Sequence, residues 1–478
     1  VKTVRAPLAP PPPSRQLLLK ALWLIVCISI AASLALALQS HIPREAAWMA
    51  GIFVLAALFW MTELLPLFAT SLLVMALQIL LLANPAGWEG FGFEAADAPH
   101  YSEFLHAAAD PVLLLFFGGF ILARAAVKHG VDVVLSAILL RPFLGSPRRM
   151  LLGLIAVTAL FSMWMSNTAT TAMMMMMVTP LLSQLQPNDR FRIALALAVP
   201  FAANIGGIGT PIGTPPNAIA VAYLAGMGHP MTFVQWMVVA VPLMALLLVI
   251  LWLLLSLLYK PQAKQSPLTL RSGKVSAAGN AVLLVFLATV GLWMTDFWHG
   301  LPTSVVALLP AVLLTAGGLL DQRDLNSLEW NVLVLIGGGL ALGFGLQATE
   351  LDRLVVERLP LASLSFGLVL VLMLGATALL GTFMSHTAAT NLLLPIGVSA
   401  ALLVGADQIG VLEMTIGIAL GSSMAMALPI STPPNAIAYA SGAISTRQMM
   451  LAGTILGLLG LGLLLSLFRL LISLALGT

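Results

Sequence analysis

The run Ser162 to Pro180, SMWMSNTATTAMMMMMVTP, sets a small polar triplet, Ser166-Asn167-Thr168, between two apolar arms. A second polar break, Gly213-Thr214-Pro215-Pro216-Asn217, follows it. Both recur. Ser385-His386-Thr387 lies in GTFMSHTAATNLLLP, and Ser431-Thr432-Pro433-Pro434-Asn435 follows in turn. The triplets are 219 positions apart and the Thr-Pro-Pro-Asn motifs 218. One break in an apolar helix could be a kink. Two different breaks, each repeated at one offset, describe a duplicated site.

The 478 residues are 60% hydrophobic and 8% charged, against about 25% charged in a soluble domain. Apolar runs such as 17–38, 112–127 and 241–258 recur throughout. They are of the length that crosses a ~30 Å hydrocarbon core, and they do not alternate as barrel strands do. The fold class is therefore an all-α polytopic membrane protein. The single cysteine, Cys27, rules out a disulfide within the chain and a cysteine metal site. A net charge of +3 is no nucleic-acid footprint, because the basic residues are spread over loops that flank the membrane. Residues 1–16, with prolines at 10–13, read as a disordered cytoplasmic segment. The apolar run after them lacks a small-residue cleavage site, so 17–45 reads as a retained first helix and its link rather than a signal peptide.

Residues 46–260 and 281–478 read as two repeats joined by a cytoplasmic linker, 261–280. In the first, spans at 46–61, 66–82 and 111–127 precede the stretch 150–185, which holds the Ser166 triplet at its middle. That stretch is too long for one upright span and too short for two. Arg148, Arg149, Arg190 and Arg192 flank it on both sides. The economical reading is a re-entrant helical hairpin whose tip reaches about the midplane, where non-helical backbone must line a cavity or be buried in protein. In the next span, 193–225, glycines and prolines between 204 and 216 stop the helix, and Thr214-Pro215 reads as an N-cap followed by Pro at the first helical position. A full span at 232–259 closes the repeat.

The second half echoes the first. Thr62-Glu63 returns as Thr295-Asp296, and Gly118-Gly119 as Gly337-Gly338, again at 219. Its spans fall at 281–298, 305–320 and 332–346, its hairpin at 361–403, its broken span at 415–444 and its last helix at 449–475. By this assignment 16 of the 21 Lys and Arg residues share the side of the N-terminus, which the positive-inside rule makes cytoplasmic. Arg44, Arg353 and Arg358 lie outside, and Arg124 and Arg469 in or near spans. About eleven transmembrane helices plus two re-entrant hairpins put the C-terminus outside and give the repeats opposite orientations. Inverted repeats with broken helices meeting at the midplane are the architecture of secondary transporters.

Four half-helices would begin near one point, at Asn167-Thr168, Thr214-Pro215, His386-Thr387 and Thr432-Pro433. Helix N-termini carry unpaired N–H groups and about half a positive charge, so they favour anions. Carbonyls freed at the same breaks, with Ser and Asn oxygens, are hard ligands suited to Na⁺. No Lys or Arg is adjacent in sequence to the tips, so positive charge must come from helix ends, bound cations or a protonated His386. Asn167, Asn217 and Asn435 accompany the breaks, which a bland kink would not require. Met173–Met177 reads as packing, because five successive thioethers cannot face one point of a helix. Glu63 and Asp296 recur symmetrically, and each could serve only to anchor a turn. An intramembrane enzyme lacks its marks here: no H-E-x-x-H, no G-x-S-x-G with a base, no paired aspartates within spans. A channel would not need two such sites. An Na⁺/H⁺ antiporter needs a membrane-embedded acid, and none sits in sequence at the four breaks.

At these residues the sequence resembles the divalent anion/sodium symporter family of dicarboxylate and citrate transporters, within the ion transporter superfamily. The resemblance runs from Trp60-Met61-Thr62-Glu63 to the last helix. It implies a homodimer in the lipid bilayer of a bacterial inner membrane, each protomer sliding a transport domain against a scaffold as an elevator. The partner would be a C4 to C6 di- or tricarboxylate such as succinate, malate, 2-oxoglutarate or citrate. Carried over by residue, Ser166, Asn167 and Thr168 would bind one carboxylate and Ser385, His386 and Thr387 the other. Thr214, Pro215, Thr432 and Pro433 would lie beside the substrate. One Na⁺ would be held by Ser162, Ser166, Asn167 and the Gly213 carbonyl. A second would use Gly381, Ser385, His386 and Ser431. The sequence departs from the family there: the second triplet is Ser-His-Thr, and Gly381 stands where an oxygen ligand is usual. A histidine nitrogen is a poor ligand for a hard cation, so this second site is expected to be weakened or lost. His386 could instead carry charge, with an unperturbed pKa of about 6.5, which leaves open Na⁺-independent exchange or proton-assisted transport. Transport of arsenite, or Na⁺/H⁺ antiport, is the sister reading within the superfamily.

Overall fold

The computed structural model describes residues 13–94, 98–186, 188–260 and 273–477, and every regular element among them is helical. Of the stretch 1–16, expected to be disordered, residues 1–12 lie outside the described residues, as does most of the expected linker, 261–272, while residues 13–16 form the first turn of a helix. The first half begins with α1 (Pro13–Leu38), α2 (Arg44–Thr62) and α3 (Leu67–Leu77), followed by α4 (Val112–Lys128). Then come α5 (Pro147–Ser162), α6 (Asn167–Gln184), α7 (Phe191–Gly207), α8 (Pro215–Gly226) and α9 (Phe233–Leu258). The second half carries α10 (Ala277–Met294), α11 (Leu308–Ala316), α12 (Trp330–Ala348) and α13 (Phe366–Phe383). It ends with α14 (His386–Leu403), α15 (Gln408–Ser423), α16 (Pro433–Ala440) and α17 (Thr446–Leu476). Nine helices among the described residues are long and apolar enough to cross a membrane.

The solvent for this surface is lipid. Leu17, Leu18 and Leu284 are exposed, while Thr158, Ser162, Thr170, Asn217, Thr415 and Asn435 are buried. α7 and α15 are buried along nearly their whole length, as central helices are. Met173, Met174 and Met175 are packed inside and Met176 is 68% exposed, so the methionine run fills the interior on one face and meets lipid on another.

Two spans differ from the sequence reading, each for a local reason. The expected span 66–82 is α3 followed by a π-helical turn, Gln78–Ala83. The widened turn carries the buried Gln78, whose Nε2 donates to the Ala341 carbonyl at 3.0 Å. The expected span 305–320 is two pieces, Thr303–Val306 and α11. Pro310 has no N–H for the Val306 carbonyl and interrupts the ladder there. α2 stops at Glu63, which takes a left-handed conformation with φ +49°, so this acid anchors a turn.

The halves are interlocked rather than side by side. α8 of the first packs on α14 and α15 of the second, and α16 of the second packs on α6 and α7 of the first. The repeated glycine pairs cross over in the same way. A Cβ on Gly118 would lie 2.5 Å from the Ala307 carbonyl oxygen, and one on Gly338 would lie 2.2 Å from Ser71 Cβ. Each pair thus lets its helix touch the opposite half at a distance no other residue permits. This crossing brings the four breaks together.

Candidate functional site

Duplication is visible in the backbone of the tips. Ser166 (φ −60°, ψ 142°) caps α6, and its Oγ accepts from Ala169 N–H at 3.3 Å. Ser385 (φ −63°, ψ 144°) caps α14 in the same way, accepting from Ala388 N–H at 3.1 Å. Thr214 and Thr432 stand at the N-caps of α8 and α16 with Pro at the first helical position of each, as the sequence suggested. In α16 the Thr432 hydroxyl accepts from Asn435 N–H at 3.2 Å.

The asparagines of the two Thr-Pro-Pro-Asn motifs hold the breaks in shape. Asn217 Nδ2 donates to the carbonyls of Gly207 and Thr210 at 3.0 and 2.8 Å. Asn435 Nδ2 donates to those of Met426 and Leu428, both at 2.9 Å. Carbonyls released by an interrupted helix are thereby satisfied without water. Both asparagines are fully buried, so their contribution is to the loop rather than to a ligand. Thr210 Oγ1 donates to the Met163 carbonyl and ties this loop to the first hairpin tip.

Every residue of the two triplets, together with Thr214, Pro215, Thr432 and Pro433, lines one cavity of about 390 Å³. Gly213 and Ser431 also reach it, whereas Ser162 and Gly381 stand behind it. Four helix N-termini thus converge on one space with their partial positive charge; those of α6 and α14 bring backbone N–H groups, whereas α8 and α16 open on two prolines that have none. No Lys or Arg is among the lining residues. The far wall includes Phe116, Phe120, Asn331 and Glu329.

Glu329 is the residue that sequence reasoning missed. Its Oε1 accepts from Ser166 Oγ at 2.8 Å, across 163 positions of chain. The sequence reading found no acid at the four breaks; the start of α12 supplies one through space. Arg124 also comes near, in a recess shared with Ser166 and Glu329. It is spoken for by Asp324, at 3.0 Å. Burial pushes the Asp324 carboxyl up, but Lys128, the Asp321 backbone N–H and Arg124 together outweigh it and hold it down at about 2.

The fit of a cation differs between the halves. Around the Asn167 carboxamide oxygen gather Ala203 O at 3.1 Å, Gly213 O at 3.2 Å and Ser162 Oγ at 2.6 Å. Crowded oxygens need either the amide turned so that its nitrogen donates to them, or a hard cation among them. The crowding depends on glycine: a Cβ on Gly207 would lie 2.4 Å from Asn167 Oδ1, and one on Gly213 would lie 2.3 Å from Gly207 O. Ser162, Asn167 and Gly213 thus assemble as the resemblance implied, and Ala203 O joins them. Ser166 does not, because its hydroxyl turns to Glu329.

In the second half the same positions are already engaged. His386 Nε2 lies 2.8 Å from the Ala425 carbonyl, an acceptor, so Nε2 carries the proton and donates. Ser431 Oγ donates to the Thr382 carbonyl at 3.0 Å and accepts from Leu428 N–H at 3.2 Å. Gly381 has no side-chain ligand atom, and a Cβ there would meet Ala425 Cβ at 3.0 Å. This set does not fit a hard cation.

An all-helical membrane protein whose broken helices meet at a buried polar cavity is built as a transporter and not as an enzyme. Residues 57–421 match the CitMHS citrate transporter family, and the chain belongs to that family, related to the divalent anion/sodium symporters. It is 31% identical over 445 residues to an uncharacterized transporter of Haemophilus influenzae, covering 88% of this chain and 91% of that protein. It is 30% identical over 455 residues to the sodium-dependent dicarboxylate transporter SdcS of Staphylococcus saprophyticus, covering 86% and 84%. In fold it is similar to the YdaH transporter of Alcanivorax borkumensis, with a TM-score of 0.57, 86% and 98% of the two chains covered, and 15% identity.

Proposed function

We propose that this protein is a secondary active transporter of C4 to C6 di- or tricarboxylates, coupled to Na⁺, in a bacterial inner membrane with its N-terminus cytoplasmic. The observation that carries the reading is the convergence of four helix N-termini, with both polar triplets, on one cavity that contains no Lys or Arg. One triplet at each end of a short diacid supplies hydroxyl, amide and backbone N–H donors to its two carboxylates. Charge that these donors leave uncompensated is offset by Na⁺ held among Ser162, Asn167, Ala203 and Gly213. The sodium-dependent dicarboxylate relative supports both cargo and coupling ion.

In this reading the hairpins, the broken helices and their contents move as a transport domain, an elevator, against a scaffold that includes α3 and α12. Two protomers form the dimer. Inverted repeats give the two end states of alternating access. The test is uptake of labelled succinate into proteoliposomes, with and without Na⁺ and with and without internal succinate. Na⁺-driven uptake into empty vesicles is the expected result; no uptake of any di- or tricarboxylate under any of these conditions sinks the proposal.

One observation favours a second reading. The His386 N–H to the Ala425 carbonyl occupies the place where the first half gathers oxygens. A protein donor there in place of a cation suits a dicarboxylate exchanger, indifferent to Na⁺ and active only into succinate-loaded vesicles.

A further inference from the structure

The Ser166–Glu329 hydrogen bond joins the tip of one hairpin to the start of α12. It stands between two spaces. On one side is the 390 Å³ cavity, and on the other a recess of about 180 Å³ walled in part by Phe120, Arg124 and Val127. Arg124 in this recess pairs with Asp324, which also takes Lys128, and Lys128 meets Asp321 at 3.5 Å, so the cations at the rim are matched by carboxylates. The bond is the partition between the cavity and this recess.

Glu329 has a counterpart. The offset of 219 that takes Ser166 to Ser385, and Gly118-Gly119 to Gly337-Gly338, takes Asp110 to Glu329. Each acid stands just before the helix that carries its glycine pair. They are not used alike here. Asp110 Oδ1 accepts from Val112 N–H at 2.8 Å and caps its own helix. Ser385 Oγ accepts from Ala388 N–H within its own turn. One bond between hairpin tip and acid is made, and its symmetry mate is not.

We infer that Glu329 and Asp110 are alternating latches of the transport cycle, Glu329 holding Ser166 when the α5–α6 hairpin closes its side and Asp110 taking Ser385 when the α13–α14 hairpin closes the other. The inference rests on the alternating-access reading above. When inverted repeats exchange conformations, each contact between them in one end state has its mate in the other, and the contact 166–329 maps onto 385–110. A hydroxyl-to-carboxylate bond is charge-assisted and stronger than a neutral one. It is also open to competition. A substrate carboxylate arriving at the triplet takes the same donor and repels Glu329, so loading weakens the latch and ties movement to cargo.

The test reads distance rather than flux. In a Cys27→Ser background, the pairs Ser166→Cys with Glu329→Cys and Asp110→Cys with Ser385→Cys are treated in membranes with a short bis-thiosulfonate. A linker is used because a glutamate-length contact can exceed the ~7 Å between Cα atoms that a disulfide tolerates. Both pairs are expected to crosslink, although only the first is in contact here. Glu329→Gln should speed the 110–385 crosslink about 3- to 10-fold, and Asp110→Asn the 166–329 crosslink by a similar factor. Crosslinking of the first pair alone, of neither, or unchanged rates in both variants overturns the inference. If the double-cysteine proteins do not fold, a lone Ala123→Cys reporter in the recess serves. Glu329→Gln and Asp110→Asn should shift its labelling rate in opposite directions, and a common shift or none overturns the idea. Both crosslinks without carboxylate uptake would sink the cargo reading and leave the latches standing.

Discussion

Asn167 and His386 occupy the same place in the two halves, one residue into the helix that follows each hairpin tip. Around Asn167, three oxygens from three different segments crowd a fourth. Around His386, the ring donates to one carbonyl and the neighbouring Ser431 is satisfied within the fold. The backbone frames agree within a few degrees at the caps, while the arm before the tip ends at Ser162 in the first half and runs past the matching Gly381 to Phe383 in the second. What this teaches is that the breaks are a neutral device. The residue placed at the second triplet position decides what faces the acceptors freed beside it, a carboxamide that can turn to them at Asn167 or a ring N–H at His386.

The sharpest break of this comparison is Asn167→Ala. It removes the oxygen at the centre of the cluster, and Na⁺-dependent succinate uptake is expected to fall by about 10- to 100-fold. Uptake that keeps its rate and its Na⁺ dependence would place the ion elsewhere. Next comes an attempt to make the second half like the first, with Gly381→Ser and His386→Asn together. The Na⁺ activation curve should steepen, its Hill coefficient rising from about one toward two. Sodium and pH dependences that both match the parent protein would show that His386 only donates a neutral N–H.

A smaller effect separates loop support from ligand support. Asn217→Ala and Asn435→Ala each leave buried carbonyls without donors, costing about 1–3 kcal/mol, seen as lower thermal unfolding temperatures in detergent. Asn217→Ala should also weaken Na⁺ activation, because it frees the loop that presents Gly213, whereas Asn435→Ala should not. Equal losses of Na⁺ response would make the halves alike after all. Least affected is the ion cluster of Arg124, Lys128 and Asp324. With the Asp324 carboxyl held down at about 2, its stabilisation is complete above the ordinary carboxylate range and is lost as pH falls through the depressed value. The gap in unfolding temperature between the parent and Asp324→Asn should therefore stay constant from pH 7 to about 4 and narrow below it. A gap that widens on acidification would contradict the pairing.

Much of the fold could be read before any coordinates, because the site is written twice. A triplet, a Thr-Pro-Pro-Asn break and a glycine pair that recur at 219, 218 and 219 positions carry their own control, and the N-caps at Thr214 and Thr432 follow from local stereochemistry. Helix ends shifted where a single proline or a π-helical turn intervened, at Pro310 and Gln78, effects that hydropathy does not register. Asn217 and Asn435 stand out in the sequence because a mere kink needs no amide, yet their partners are the loop's own carbonyls. Glu329 was illegible as a site residue. It sits before α12 in an unremarkable loop and meets Ser166 only once the halves interlock. Its one sequence trace is an acid at the matching place, Asp110, and that pairing gains meaning only after the contact is known.

The crossed packing of α8 on α14 and α15, and of α16 on α6 and α7, has a consequence for how the protein is made. As the ribosome delivers the first half to the bilayer, the loop between α7 and α8 and the tip at Ser166 already hold polar backbone that lipid cannot solvate. Asn217 and Thr210 meet part of that backbone from within the first half, but Glu329, which takes the Ser166 hydroxyl, and the helices that cover α6, α7 and α8 are still untranslated. The first half must therefore wait, either shielded by the insertion machinery or folded back on itself, until α14 to α16 arrive.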